Sequence, residues 1–244
     1  MCSNYRPVTS LDRLLTFFGV DPVPGTASTA SEAEVWPTGN APFIRLNPDW
    51  DGTGDPRLVA HHGVFGLLPH FATEVSYGKK TYNSRSETVH RLPSFRDAWW
   101  QGQRCIVPAE CIYEPCYESG EAVRWRIARS GGEPLGIAGI YAQWVNPKTQ
   151  MHEFSFSMLT VNADTHPFYQ RMHRPGDEKR MPIILEPSEY AGWLTYTVAE
   201  ARRFFRQWHG EFDAGPDALP PRTRKPKPPA PEPEVLPVTG DLFD

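Results

Sequence analysis

No run of about 18 apolar residues occurs in the chain, so no membrane-spanning helix is expected. The stretch up to Asp12 lacks the apolar centre of a secretory signal, and a cytoplasmic location is expected. Cysteine is scarce: Cys2, Cys105, Cys111 and Cys116 are the four, and none forms a Cys-x-x-Cys pair. That spacing disfavours a zinc site or a disulfide framework and predicts reduced thiols. A Gly-x-Ser-x-Gly elbow is missing, which disfavours a serine hydrolase. So are a P-loop, a His-Glu-x-x-His pair and a dinucleotide fingerprint, and His61-His62 is too little for a metal site. No metal or organic cofactor is therefore expected. Positive charge is not in excess either, with 25 Lys and Arg against 29 Asp and Glu, net −4. A generically basic nucleic-acid coat is excluded, and phosphate binding would need a local patch.

Proline is plentiful, 26 in 244 residues, and dominates from about Asp213 onward. Apolar residues are sparse there, so residues 213–244 read as a disordered or extended tail and residues 1–212 as one domain. The tail ends in Gly240-Asp241-Leu242-Phe243-Asp244, a candidate docking motif for a replication-associated protein. A monomer is expected.

Within 1–212, short apolar-alternating segments outnumber helical ones. Val123, Trp125 and Ile127 alternate with arginines, and Phe154, Phe156 and Met158 with serines. Leu11, Leu14, Leu15 and Phe18 have helical spacing, with Thr9 or Ser10 as cap. Short helices are predicted over Phe95–Trp100, from near Ser188, and from Thr197, where a capping-box pattern opens. Gly19–Pro42 and residues 71–82 read as loops. No βαβ alternation appears, so the fold class is α+β: a single domain with a curved, mostly antiparallel, barrel-like sheet flanked by short helices.

Cys2 follows the initiator Met and is small enough for Met removal to be expected. Residue 2 would then carry an α-amine titrating near ~8 and a thiol near ~8.5. Such an amino-thiol attacks an aldehyde twice, first as an amine giving an imine, then as a thiol closing a thiazolidine. Asn83 and Arg85 are two apart in an extended polar segment and face the same side, an amide beside a phosphate-binding guanidinium. Glu114 lies among apolar neighbours that would raise its pKa and suit it to general acid–base work. Glu110, four residues earlier, is its competitor on the same strand face. His173 sits in the basic segment 170–180, where neighbouring cations would favour neutral imidazole. Arg171, Arg174, Lys179 and Arg180 make a candidate phosphate patch.

Taken in order, these pieces resemble the SOS response-associated peptidase (SRAP) family over about residues 1–210. The resemblance rests on Met1-Cys2, Gly66-Leu67-Leu68-Pro69, Asn83-Ser84-Arg85-Ser86-Glu87-Thr88, Arg104-Cys105-Ile106-Val107-Pro108-Ala109-Glu110, Tyr113-Glu114, and His173 ahead of Arg180-Met181-Pro182. It implies a DNA-damage protein that binds single-stranded DNA at abasic sites and forms a covalent thiazolidine crosslink through Cys2. It implies further that Asn83 orients the α-amine and sugar. Glu114 would promote ring opening and proton transfer, and His173 would assist imine formation and any β-elimination, a lyase-type step. Arg85 would hold phosphate and Phe65, where the family commonly has Trp, would stack on a base. The family name also implies self-cleavage ahead of the Cys; with Met1 in front, ordinary Met removal is expected to suffice. Asn4 stands where family members commonly carry Arg, and the stretch from His173 to Arg180 is longer than their compact His-x-Arg-Met-Pro. Two rival readings use the same residues. One is an amino-terminal-nucleophile peptidase or amidase with Cys2 attacking an amide and Asn83 as oxyanion donor. The other is a non-catalytic single-strand DNA binder.

Overall fold

The computed structural model describes residues 3–21 and 34–219. Twelve strands and four short α-helices lie among them. In chain order they are β1 (Asn4–Pro7), α1 (Leu11–Phe18), β2 (Val20–Asp21), β3 (Asn40–Leu46), β4 (Leu58–Phe65), β5 (Asn83–Arg85), α2 (Arg96–Trp100) and β6 (Arg104–Cys116). There follow β7 (Val123–Arg129), β8 (Leu135–Val145), β9 (His152–Asn162), β10 (Arg180–Pro182), β11 (Ile184–Leu185), α3 (Tyr190–Thr195), α4 (Val198–Ala201) and β12 (Phe212–Pro216). Cys2 and the tail beyond residue 219 lie outside the described residues.

The sheet closes on itself. Strands β8, β9, β4, β3 and β6 pair in that order, and β6 returns to pair with β8. The result is a five-stranded barrel, antiparallel except where β4 runs parallel to β9. Closure pairs each of these five strands on both sides and gives the alternating side chains an interior to fill. Phe43, Phe65, Ile106, Ile140 and Phe156 are fully buried in one continuous core. The α+β, barrel-like, mostly antiparallel expectation therefore holds.

Strand β6 is covered on both faces, so nearly all of its 13 residues are buried, with acids embedded among apolar side chains. Its second half carries β1 on one edge and β7 on the other. The β1 ladder jumps between Arg6, opposite Cys111, and Pro7, opposite Ala109. Glu110 is the extra residue of this bulge, and a bulge re-aims the side chains around it. The expectation that Glu110 and Glu114 share a face fails for that reason. Glu110 turns to Arg13 of α1, whose Nε and Nη2 donate to its carboxylate at 2.7 and 2.8 Å.

Helix α1 forms as its spacing predicts, with the Ser10 hydroxyl accepting from the Arg13 N–H and Gly19 closing the end in the left-handed region. Leu14 and Phe18 are buried in the core and Phe17 packs against it, while Leu11 and Leu15 are exposed. The segment read as loop over residues 71–82 contains a 3-10 turn at Val75–Lys80. The domain boundary also moves. Residues 213–216, read as tail, continue an edge strand that starts at Phe212 and pairs with β7 from Phe212 opposite Arg129 to Pro216 opposite Trp125. Phe212 packs against Phe168 and Trp208, and Asp213 ion-pairs with Arg126. Proline and glycine content pointed away from a strand here, but an edge position tolerates both.

Two details give tests. Gly66 has φ +128°, and a Cβ there would collide with the backbone of Gly78. Gly66→Ala is expected to lower unfolding stability by about 2–3 kcal/mol, read as a shifted urea midpoint. His166 is buried, its Nδ1 accepts the N–H groups of Phe168 and Tyr169, and its Nε2 lies 2.8 Å from the Trp208 carbonyl. Burial, above all, lowers its pKa, so the folded state prefers neutral imidazole. That preference stabilises the fold fully above the unfolded value of ~6.5 and is lost as pH falls through the depressed folded value. The melting temperature should therefore drop between about pH 7.5 and 5.5, and drop less in His166→Gln.

Candidate active site

Where β6 ends, it delivers one carboxylate into the interior. Glu114 is 1% exposed and stands opposite Trp125 of β7. Its Oε2 lies 3.1 Å from Nε2 of His173, itself buried. A shared proton between these two atoms satisfies both in a low-dielectric setting, where an isolated charge would be costly. The pair joins residues 59 apart in sequence.

Backbone contacts hold the histidine there. Residues 171–173 run along the end of β6: Tyr117 N–H donates to the Arg171 carbonyl at 3.1 Å, and His173 N–H donates to the Pro115 carbonyl at 2.7 Å. His173 adopts φ +60°, a left-handed conformation uncommon outside glycine but more accessible to His than to most residues. Lys179 secures the start of the adjoining loop, its Nζ donating to the carbonyls of His173 and Arg174 at 3.3 and 2.8 Å. The longer stretch from His173 to Arg180 is thus a loop folded back on its own lysine.

Asn83 and Arg85 fall on β5, which pairs in parallel with β9, Asn83 opposite Met158 and Arg85 opposite Thr160. Asn83 is half-buried and Arg85 exposed, while Ser84 between them is buried, as the alternation predicts. An aromatic cluster carries β5 toward the N-terminal strand. Tyr5 meets Phe65 edge-on at 5.2 Å, and Phe65 meets Tyr82 at 5.7 Å. Phe65 is therefore fully enclosed. The expectation that it stacks on a base is corrected: its ring is packed against Tyr5, Tyr82 and Phe156.

The basic residues separate into distinct roles. Arg180 is 2% exposed and donates to both oxygens of Glu87 at 3.0 and 2.9 Å, to Glu178 at 2.7 Å, and to the Thr160 carbonyl at 2.7 Å. As a phosphate ligand it is corrected too, because the side chain is buried and both Nη groups are engaged by Glu87, Glu178 and Thr160. Arg171 is partly buried, its guanidinium 4.7 Å from the Trp125 ring and 4.5 Å from the Phe168 ring, with Glu118 at 3.3 Å. Its flank forms part of a shallow groove with His166, His209 and Phe212. Arg174 is exposed beside the His173 loop. Arg85 remains about half-exposed, with Nη1 2.8 Å from Glu178 Oε2.

Two carboxylates were not singled out from sequence. Glu178 joins Arg85 to Arg180, and Glu87 caps Arg180 from the other side. An acid inside an otherwise basic run is the signal that could have found Glu178. At the other end of the site Asn4 is buried and donates to Glu34 at 2.7 Å, and Glu34 also takes Arg124 at 2.6 Å. No group of three or more His, Cys, Asp or Glu suited to a metal is found among the described residues.

The closed barrel that carries this buried carboxylate–imidazole pair has a fold represented among solved structures. The chain matches a crystal structure of a Bordetella bronchiseptica protein with TM-score 0.77 and 35% identity, covering 89% of this chain and 100% of that one. A Bacteroides thetaiotaomicron protein shares the fold at TM-score 0.70 and 21% identity, over 87% of this chain and 90% of that one. The chain belongs to the SOS response associated peptidase (SRAP) family, whose model matches residues 1–215. Among its relatives are the abasic site processing protein YoqW of Bacillus subtilis, 25% identical over 80% of both chains, and the abasic site processing protein HMCES of Gallus gallus, 27% identical over 57% of this chain and 46% of that protein.

The two kinds of arginine should respond differently to truncation. Arg180→Ala leaves Glu87 without its cation and Thr160 without its buried donor, while Glu178 keeps Arg85, and is expected to cost about 3 kcal/mol of unfolding stability. Arg174→Ala should stay within about 0.5 kcal/mol in the same urea titration.

Proposed function

We propose that this protein acts on abasic sites in single-stranded DNA and captures the ring-opened sugar aldehyde on Cys2. The observation that carries the reading is the buried Glu114–His173 pair, 3.1 Å apart, at the end of the strand on which β1 is zipped. Strand β1 opens with Asn4 opposite Tyr113, the residue before Glu114. Chain geometry keeps any residue two positions from Asn4 within about 7 Å of its Cα. In this reading the Cys2 amine and thiol, two residues before that register, work together with this carboxylate and imidazole. The relatives named as abasic site processing proteins support the same substrate.

In this reading Glu114 donates a proton to the sugar ring oxygen as the C1′–ring-oxygen bond breaks, and the anomeric hydroxyl gives its own proton to His173 as it becomes the aldehyde. The Cys2 amine adds to the aldehyde carbon, and one water leaves as the imine forms. His173 carries protons between the carbinolamine oxygen, the nitrogen and Glu114. The Cys2 thiolate then adds to the imine carbon, the nitrogen takes up a proton, and a thiazolidine results. Each step runs backward through the same groups, so Glu114 serves release as well as capture. If the imine loses a proton from sugar carbon C2′ before the thiol closes, the C3′–O bond breaks and the 3′-side strand leaves as its phosphate, a β-elimination and so a lyase-type outcome. Asn83 orients the amine and sugar from β5. Arg85, with Arg171 and Arg174 further along, meets backbone phosphates. Self-cleavage ahead of Cys2, where a chain carries further residues there, would use the same nucleophile.

Denaturing gels with single-stranded DNA carrying one abasic site check the proposal. The processed protein should give a heat-stable protein–DNA band that Cys2→Ala abolishes. Glu114→Gln should slow both formation and reversal by about 10²-fold or more, the scale of general acid–base catalysis, and His173→Ala should slow the imine and elimination steps. A crosslink that persists undiminished in Cys2→Ala would remove the mechanism. Peptide turnover without DNA would move the assignment to an amino-terminal-nucleophile amidase.

A further inference from the structure

The loop between His173 and Arg180 carries an acid that the proposed chemistry does not use. Glu178 Oε2 sits 2.8 Å from Nη1 of Arg85. Its other oxygen, Oε1, is fixed from behind by Arg180 Nη1 at 2.7 Å and by Asn162 Nδ2 at 3.2 Å. The carboxylate is thus anchored on its inner side by a buried guanidinium and offers its outer side to an exposed one. Asn162 is itself bonded to Asp164 at 2.8 Å, and Asp164 accepts the Lys179 N–H at 2.7 Å, so the strand end and the loop support the anchor together. The Arg180 hydrogen bond first, with Asn162 and the nearby cations, lowers the Glu178 pKa, so it stays ionised across the neutral range.

A carboxylate and a phosphate offer an arginine the same paired, negatively charged oxygens. Arg85 is the exposed guanidinium on the Asn83 face of β5, while Arg180 is enclosed. Glu178 Oε2 therefore occupies, on Nη1 of Arg85, a position that a DNA phosphate oxygen would take. We propose that Glu178 is a built-in competitor for the phosphate site on Arg85 and sets how weakly the protein holds undamaged single-stranded DNA. Rigid anchoring means that the acid does not swing away with Arg85; the guanidinium must leave a fixed partner to meet DNA. The consequence is selectivity. Undamaged strands are released because their phosphate gains little over the resident carboxylate, whereas an abasic site is retained by the covalent step. This inference rests on the reading that Arg85 contacts DNA phosphate.

The test measures binding of an undamaged single-stranded oligonucleotide to the full chain and to Glu178→Gln, Arg85→Gln and the double variant, across a salt series. Glutamine keeps a carbonyl oxygen for Arg180 and Asn162, and Arg180 retains Glu87 and Thr160, so the fold should survive; melting curves confirm it. Glu178→Gln is expected to tighten binding about 5–10-fold at low salt, with the gain shrinking as salt rises. Arg85→Gln should weaken binding, and Glu178→Gln should add nothing in that background. If Arg85→Gln weakens binding but Glu178→Gln leaves it unchanged, the competitor role is overturned while the phosphate role of Arg85 stands. If Glu178→Gln tightens binding equally with and without Arg85, the effect is general charge removal and the inference is again overturned. If neither variant changes binding, Arg85 is not a phosphate ligand and the reading beneath the inference fails with it.

Discussion

Strand β6 is shared by four partners, and this sharing fixes where the chemistry sits. Its first half closes the barrel against β3 and β8; its second half is held between β1 and β7. A shift of one residue would turn every side chain to the opposite face. It would break ladders on both halves at once. Glu114 is therefore placed by the barrel as a whole, and the strand that leads to Cys2 is zipped to the same segment. The bulge at Glu110 completes the arrangement by aiming one acid at Arg13 on the surface and leaving the other inside.

Around this strand the protein uses polar groups in two ways. Arg180 is a structural cation, buried and ringed by two carboxylates and a strand carbonyl. The Glu114–His173 pair is buried too, but it is built from one rigid strand and one left-handed loop residue pinned by Lys179. A non-glycine residue in that region costs of order 1–3 kcal/mol, which the two backbone bonds and the side-chain contact must offset. Strain of this kind at a buried titratable pair fits a site that is pre-organised rather than assembled on binding. Arg85 and Arg171 differ from Arg180 in keeping an exposed flank, yet each already has an acidic partner, Glu178 or Glu118. Each of these two guanidiniums is thus charge-compensated at rest.

Much of this architecture is legible in the residues. The many short alternating segments point to the barrel-like class, and Ser10 and Thr197 mark helix starts that the structure has. Glu114 and His173 stand out as an acid among apolar neighbours and an imidazole in a basic loop, and the structure brings them together. Direction is the part that local sequence does not carry. Phe65 reads as an aromatic at a strand end, and nothing in its neighbours says whether the ring faces out or joins Tyr5 and Tyr82 inside. Arg180 reads as one of several cations until Glu87, 93 residues away, is seen to bind it. The Glu110 bulge breaks a two-residue period that has no local marker. Residues 213–216 show the opposite failure: their composition says tail, but β7 has an edge to cover, and Phe212 just ahead of them has aromatic partners that start the strand.

The barrel holds Glu114 and His173 beside the amino-terminal strand, and in the proposed chemistry the pair serves an amino-thiol at residue 2. Mass spectrometry of the protein–DNA adduct after nuclease and protease digestion would locate the sugar remnant on the chain and test this arrangement at its core. A single modified peptide beginning at Cys2 is expected, with the mass of aldehyde addition less one water and with both the amine and the thiol blocked. A remnant attached to a lysine such as Lys179, with the Cys2 thiol still free to alkylate, would contradict it.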